Sequence, residues 1–150
     1  SGQKINAALK WPNDLLISKK KICGILIESE IKAEDVEYIV GIGINYSLPE
    51  KESWWGEIGD LSDILPREKL INNILKGIIN YLENGYQNWQ DAWEKRCMHI
   101  GIELEAVSNN QKDNEIGIFK GIDEEGKMLL QTTKELKVIS SGECSIRGIY

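Results

Sequence analysis

Residues Tyr38–Asn45 read Tyr-Ile-Val-Gly-Ile-Gly-Ile-Asn, a run that carries apolar side chains on both faces of an extended strand. A strand built that way calls for cover above and below, as strands of layered α/β folds have and alternating surface strands do not. Glycine weakens a strand interior, so Gly41 and Gly43 mark a place where a ligand or another backbone comes close.

The segments before this strand are also strand-like. Ala7–Trp11 is short and apolar, Leu15–Ser18 follows Pro12-Asn13-Asp14, and Ile22–Glu28 follows the turn Lys19-Lys20-Lys21. Residues 46–65 form a polar connection containing Trp54 and Trp55 that is long for a compact domain, and such loops tend to be functional lids or disordered. Pro66 then opens a helix in which Leu70, Ile71, Ile74, Leu75, Ile78, Ile79 and Leu82 recur at three-to-four spacing, with Asn84-Gly85 as its stop. A second helix is expected over Tyr86–Cys97, where Trp89, Trp93 and Cys97 share one face and read as core residues.

After Gly101 the pattern returns to short strands: Ile102–Val107, Ile116–Ile122, Met128–Gln131, Leu136–Ile139 and Cys144–Ile149. Asp123-Glu124-Glu125-Gly126 is a hairpin connection, and five strands in about fifty residues suggest a small barrel. The expected architecture is therefore an α/β (α+β) mixed sheet with two helices over residues 1–98 and a small β-barrel over 99–150.

Charge and composition remove several functions. The net charge is −6, and residues 1–100 and 101–150 each carry −3, so neither part has the basic footprint of a nucleic-acid binder. A single Phe119 in the second part also argues against a base-stacking platform. The apolar runs are far shorter than the roughly 20 residues of a membrane-spanning helix, and no charged-then-apolar leader opens the sequence, so a soluble protein without membrane partners is expected. Three cysteines, Cys23, Cys97 and Cys144, lie far apart without CxxC spacing, which fits thiols of a reducing cytoplasm rather than a disulfide framework or a zinc site. His99, the single histidine, stands at an apparent helix end and reads as a packing or capping residue rather than a triad member.

Two clusters can carry chemistry. Lys10-Trp11-Pro12-Asn13-Asp14 places a cation, an aromatic, an amide and a carboxylate at a Pro-constrained bend between apolar strands; it is either a site corner or a plain Asn-Asp turn. Lys21, the last residue of the lysine triplet, is either part of a solvated turn or an anion-binding cation. In a regular hairpin Asp14 and Lys21 fall at opposite ends, and only curvature would bring them to one ligand.

Taken together, Lys10–Leu15 (KWPNDL), Lys21–Glu28 with Gly24 three residues beyond the lysine, and Gly41–Asn45 (GIGIN), in this order, resemble the catalytic-domain signature of biotin protein ligases. The likeness continues through Trp93-Glu94 into Gly121-Ile122-Asp123, Gly126 and Gly142-Glu143…Arg147, which resemble the family's C-terminal SH3-like barrel. The resemblance implies a class II synthetase-like catalytic-domain portion followed by that barrel. It also implies ATP-dependent activation of biotin to biotinyl-5′-AMP, then transfer to a lysine of a biotin carboxyl carrier protein. The family's glycine- and arginine-rich biotin loop lies upstream of KWPND, where nine residues precede Lys10 here, so the chain reads as the C-terminal part of a ligase.

The same resemblance assigns roles. Both reacting groups of the first step are anions, so a fixed cation must draw them together, and Lys21 fits that need. Asp14 would orient or deprotonate the incoming lysine, hold Mg²⁺, or both. Asn13 is expected at the same phosphate, Gly24, Gly41 and Gly43 where ligand meets backbone, Asn45 at adenine, and Trp55 as an adenine-covering lid. Glu143 and Arg147 are the expected contacts from the C-terminal domain. ATP, Mg²⁺ and biotin are thus the implied small molecules, and a homodimer is among the assemblies the family allows. A lipoate-type acyl ligase and a non-catalytic interaction fragment are the rival readings.

Overall fold

The computed structural model describes residues 7–32, 35–50, 52–61, 65–108, 114–142 and 144–147. Four strands, β1 (Ala7–Lys10), β2 (Asp14–Ile17), β3 (Lys20–Lys32) and β4 (Asp35–Ile44), form one sheet in the order β1-β2-β3-β4. All neighbours in it run antiparallel, and among the described residues parallel contacts are confined to the isolated bridges Leu9–Cys97 and Lys21–Trp55. Ser18 and Lys19, with φ of 51° and 65°, make the two-residue turn between β2 and β3, the left-handed geometry that matches the twist of a tight hairpin.

A single 3₁₀ turn (Ile58–Asp60) precedes helix α1 (Arg67–Asn84), which Pro66 caps and Gly85, at φ 67°, terminates. Helix α2 is only Trp89–Glu94, shorter than the periodicity predicts. Its chain leaves the helix to pair with β1: Leu9 donates to the Arg96 carbonyl at 2.8 Å, and Met98 donates to the Leu9 carbonyl at 3.0 Å. Sheet hydrogen bonds thus replace the last helical turn.

The second sheet contains β5 (Glu103–Ser108), β6 (Glu115–Ile122), β7 (Met128–Gln131), β8 (Leu136–Ile139) and β9 (Cys144–Arg147), in the order β8-β7-β6-β5-β9 and antiparallel throughout. Its core holds Leu104, Ala106, Phe119, Ile122, Met128, Leu130 and Ile146, together with Trp11 from the end of β1. Trp89, Trp93 and Cys97 pack against that core, as their shared helical face predicts. His99 is also a packing residue, fully buried with its ring 5.4 Å from that of Phe119.

The β3–β4 hairpin differs from its expectation. The register puts Ile25, Ile27 and Ile31, paired with Ile42, Val40 and Val36, on one face, and Glu28, Glu30 and Lys32 on the other. Leu26, Ile39, Gly41 and Gly43 share that second face, so the hairpin is apolar on both sides near its base and amphipathic toward its far end. Among the described residues most of it is exposed, with Ile27 at 61% and Ile39 at 62%. Helix α1 faces the near end of its apolar side across a groove of ≈ 420 Å³ lined by Val40, Ile42, Ile44, Ile71, Ile74, Leu75 and Ile78. No helix among the described residues is long and apolar enough to cross a membrane.

Candidate functional site

The site begins with a register irregularity. In a regular hairpin Lys21 and Gly24, three residues apart, would point to opposite faces. Asp14 pairs with Gly24 and Leu15 with Cys23, but Leu16 pairs with Lys21, so Ile22 is the extra residue of a bulge. The bulge shifts the side-chain phase by one and re-aims Lys21. Its Nζ lies 2.6 Å from Asp14 Oδ1, and a Cβ built on Gly24 would sit 3.2 Å from that Nζ and 3.4 Å from Asp14 Oδ1. Asp14, Lys21 and Gly24 thus form one cluster, although sequence spacing alone sets the two charges at opposite ends of the hairpin. Lys19 and Lys20 stay exposed on the turn, which separates Lys21 from the rest of the triplet.

Pairing extends this cluster across the sheet. Asp14 opposes Gly24, and Gly24 opposes Gly43, so these three form a row across β2, β3 and β4, with Gly41 two positions further along β4. The glycines leave a low floor beside the Asp14–Lys21 pair. Asn13 is fastened at its edge: its carbonyl accepts from Ile25 N at 2.9 Å, and its Nδ2 donates to the Ile25 carbonyl at 2.6 Å. The Trp11–Pro12 peptide is cis. Cys23 lies half-buried nearby, and burial, reinforced by Asp14, raises its thiol pKa.

The long connection returns to the cluster. Lys21 N donates to the Trp54 carbonyl at 3.0 Å and Gly56 N donates to the Lys21 carbonyl at 2.9 Å, which sets Trp55 directly beside Lys21. Asn45 Nδ2 donates to the carbonyls of Lys21 at 3.2 Å and Gly56 at 3.0 Å, so Asn45 clamps the loop to β3. Gly56 is needed for that approach, since a Cβ there would lie 2.9 Å from Lys20 Cβ. Sequence reasoning did not single out Gly56; its position straight after the Trp54-Trp55 pair was the available signal. Trp55 meets Trp54 edge to face at 5.2 Å.

A groove of ≈ 610 Å³ runs between the two sheets, lined by Pro12, Asn13, Ile25, Leu26 and Ile27 on one side and Glu125, Gly126, Ser141 and Gly142 on the other. Arg147 ends β9, and Glu143 lies outside the described residues. No group of three or more His, Cys, Asp or Glu side chains gathers as a metal site among the described residues.

Residues 1–45 match the Biotin/lipoate A/B protein ligase family, and residues 104–147 match the Biotin protein ligase C terminal domain. The chain belongs with the biotin protein ligases. The Bifunctional ligase/repressor BirA of Bacillus spizizenii is 32% identical to it over 155 residues, which cover 95% of this chain and 47% of that protein. BirA of Escherichia coli is 30% identical over 93% of this chain and 46% of its own length. The chain thus spans about half the length of the curated relatives it matches. The apo biotin protein ligase from Aquifex aeolicus has a TM-score of 0.75 to this chain at 27% identity, covering 94% of it and 65% of the ligase. The Aquifex aeolicus ligase in complex with biotin and ATP matches with a TM-score of 0.74, also at 27% identity, over 94% of this chain and 62% of its own.

Proposed function

We propose that these residues work within an ATP-dependent biotin protein ligase, residues 1–98 as part of its catalytic domain and 99–150 as its SH3-like barrel. The observation that carries this reading is the Asp14–Lys21 pair over Gly24, set in KWPND and facing the glycine row that ends in GIGIN. The likeness to a ligase in complex with biotin and ATP supports the choice of substrates.

In the first step a biotin carboxylate oxygen attacks the α-phosphorus of ATP. A P–O bond forms, the bond to the β-phosphate breaks, and pyrophosphate leaves. Lys21 counters the negative charge that both reactants bring and that grows in the transition state. Asp14 fixes the ammonium by a 2.6 Å contact, so its orientation is set before substrate arrives. In the second step a lysine amine of a biotin carboxyl carrier protein attacks the acyl carbon of biotinyl-5′-AMP. The C–O bond breaks, AMP leaves, and the amine proton passes toward Asp14.

One carboxylate fits Mg²⁺ held mostly by phosphates, which is its usual way of binding, so Asp14 is the residue that would hold it. Bound there, Mg²⁺ neutralises triphosphate charge. Asn13 contributes a polar contact at the phosphates, and Gly24, Gly41 and Gly43 let the adenylate approach the backbone. Trp55 covers adenine and Asn45 keeps the Trp55 loop against β3 while meeting the base. Arg147 and Glu143 supply the contacts from the C-terminal domain.

The test is pyrophosphate release from ATP by the full polypeptide that carries this chain, with biotin, with lipoate and with neither. Release that depends on biotin and is lost in Lys21→Ala is the expected result. A preference for lipoate, or no acid-dependent release, overturns the reading.

A further inference from the structure

The groove between the sheets has a wall that belongs to the second sheet, the turn between β6 and β7, and three contacts from the first part of the chain hold that one turn. Trp11, 2% exposed within the second core, donates from Nε1 to the Gly126 carbonyl at 3.0 Å. Glu94 Oε1 accepts from Ile122 N at 3.1 Å, and Gln90 Nε2 donates to the Ile122 carbonyl at 3.3 Å. A register shift between Phe119 and Gly121 breaks the regular β6–β7 ladder just before Ile122. Gly121, at φ 146°, makes room: a Cβ there would lie 2.2 Å from Glu94 Oε1.

The turn itself is rigid. Asp123 Oδ1 accepts from Glu125 N and Lys127 N, both at 2.9 Å, and Gly126 N donates to the Asp123 carbonyl at 3.0 Å. A rigid turn moves as a unit, so its attachment points set its distance from the opposite wall. That wall starts at Pro12 and Asn13, covalently next to Trp11, and leads into Asp14.

We infer that Trp11 and Glu94 are positioning residues that hold the 123–126 turn over the Asn13–Asp14 corner and so set the width of the groove. This rests on the ligase reading only where nucleotide binding is concerned. The tryptophan of KWPND then serves as the bolt between the sheets, while its neighbours Asn13 and Asp14 face the chemistry.

Amide hydrogen exchange and the Trp11 Nε1–H resonance in the full polypeptide that carries this chain test it, with ATP titrated into the same samples. Glu94→Gln keeps the acceptor oxygen and should behave as wild type in every measurement. Glu94→Ala should raise exchange at Ile122 and the 123–127 turn by about tenfold, the size of one lost hydrogen bond. It should also shift the Trp11 Nε1–H signal, whose acceptor is the Gly126 carbonyl, and leave exchange at Phe119 and Leu130 unchanged. Trp11→Phe, which keeps the ring packing and loses the donor, should loosen the same turn. The titration should show weaker ATP binding in Glu94→Ala and Trp11→Phe. Loosening of the whole second sheet, or of no turn amide, overturns the inference, as does a Glu94→Ala chain that binds ATP like wild type. A wild-type chain that binds no ATP while the exchange pattern holds sinks the ligase reading and leaves the latch standing.

Discussion

The two sheets solve the burial problem differently. The second sheet buries Phe119, Met128 and Leu130 completely, and its core takes in Trp11 from the first part of the chain. The first sheet buries Leu16 and Ile22 beside the bulge, but its β3–β4 hairpin leaves Leu26, Ile27, Ile39 and Val40 half exposed or more. Stability and chemistry are therefore divided. A well-buried core steadies one wall of the groove, while the charged pair, the glycine floor and the Trp55 loop sit on a sheet that spends little of its apolar surface on its own packing.

The largest effect should separate these cores directly. Phe119→Ala, in the fully buried core, should lower the unfolding free energy by about 3–5 kcal/mol, whereas Ile27→Ala on the exposed hairpin should stay within about 0.5 kcal/mol. Chemical denaturation of both variants measures this, and equal losses would break the comparison.

Next in size is Lys21→Ala. Adenylate formation in the full polypeptide should fall roughly 10²–10³-fold, as for loss of one transition-state stabiliser, with the denaturation midpoint little changed. Lys19→Ala, on the exposed turn, should leave the rate near wild type. Equal effects of the two would mean that the triplet acts as diffuse charge and that the bulge is irrelevant to function.

A third test uses pH at the seam between the sheets. His99 is fully buried, neither ring nitrogen has a hydrogen-bond partner among the described residues, and burial, helped by Lys10, lowers its pKa to about 4. Between the unfolded value near 6.5 and about 4, the unfolded chain binds a proton that the folded chain refuses. Stability from neutral His99 is thus complete above pH 6.5 and lost as pH falls toward 4. Relative to His99→Leu, in which the other titrations cancel, wild type should lose on the order of 3 kcal/mol across that window. A constant difference between pH 7 and 4 would remove His99 from the account.

The smallest effect belongs to the loop. Trp55→Ala should weaken ATP binding by about 1–3 kcal/mol, the range of one base stack, and leave biotin affinity nearly unchanged. Trp54→Ala should act mainly on stability. Limited proteolysis within residues 46–65 with and without biotinyl-5′-AMP sharpens this further: backbone hydrogen bonds already fasten the loop at Lys21 and Asn45, so slower cleavage should come from the segments outside residues 54–58. No change in cleavage on binding would remove the lid role.

Local pattern by itself determined much of this protein. The existence and order of β1–β9, the helix after Pro66 and the turn at Asp123–Gly126 follow from periodicity and turn chemistry, because each depends on residues within a few positions of one another. By contrast, β3 runs on past Glu28 and β4 starts before Tyr38, through mostly polar residues that only their mutual pairing makes extended. The three motifs that resemble the biotin protein ligases were equally legible. Tertiary structure decided the rest. Asp14 and Lys21 meet because Ile22 bulges out of the β2–β3 pairing, and bulges leave little trace in residue type. Trp11 carries the same local signal whether it lines a site or fills a core 115 residues away, at Gly126. Helix α2 stops early because Leu9, distant in sequence, offers Arg96 and Met98 better hydrogen bonds than another turn would.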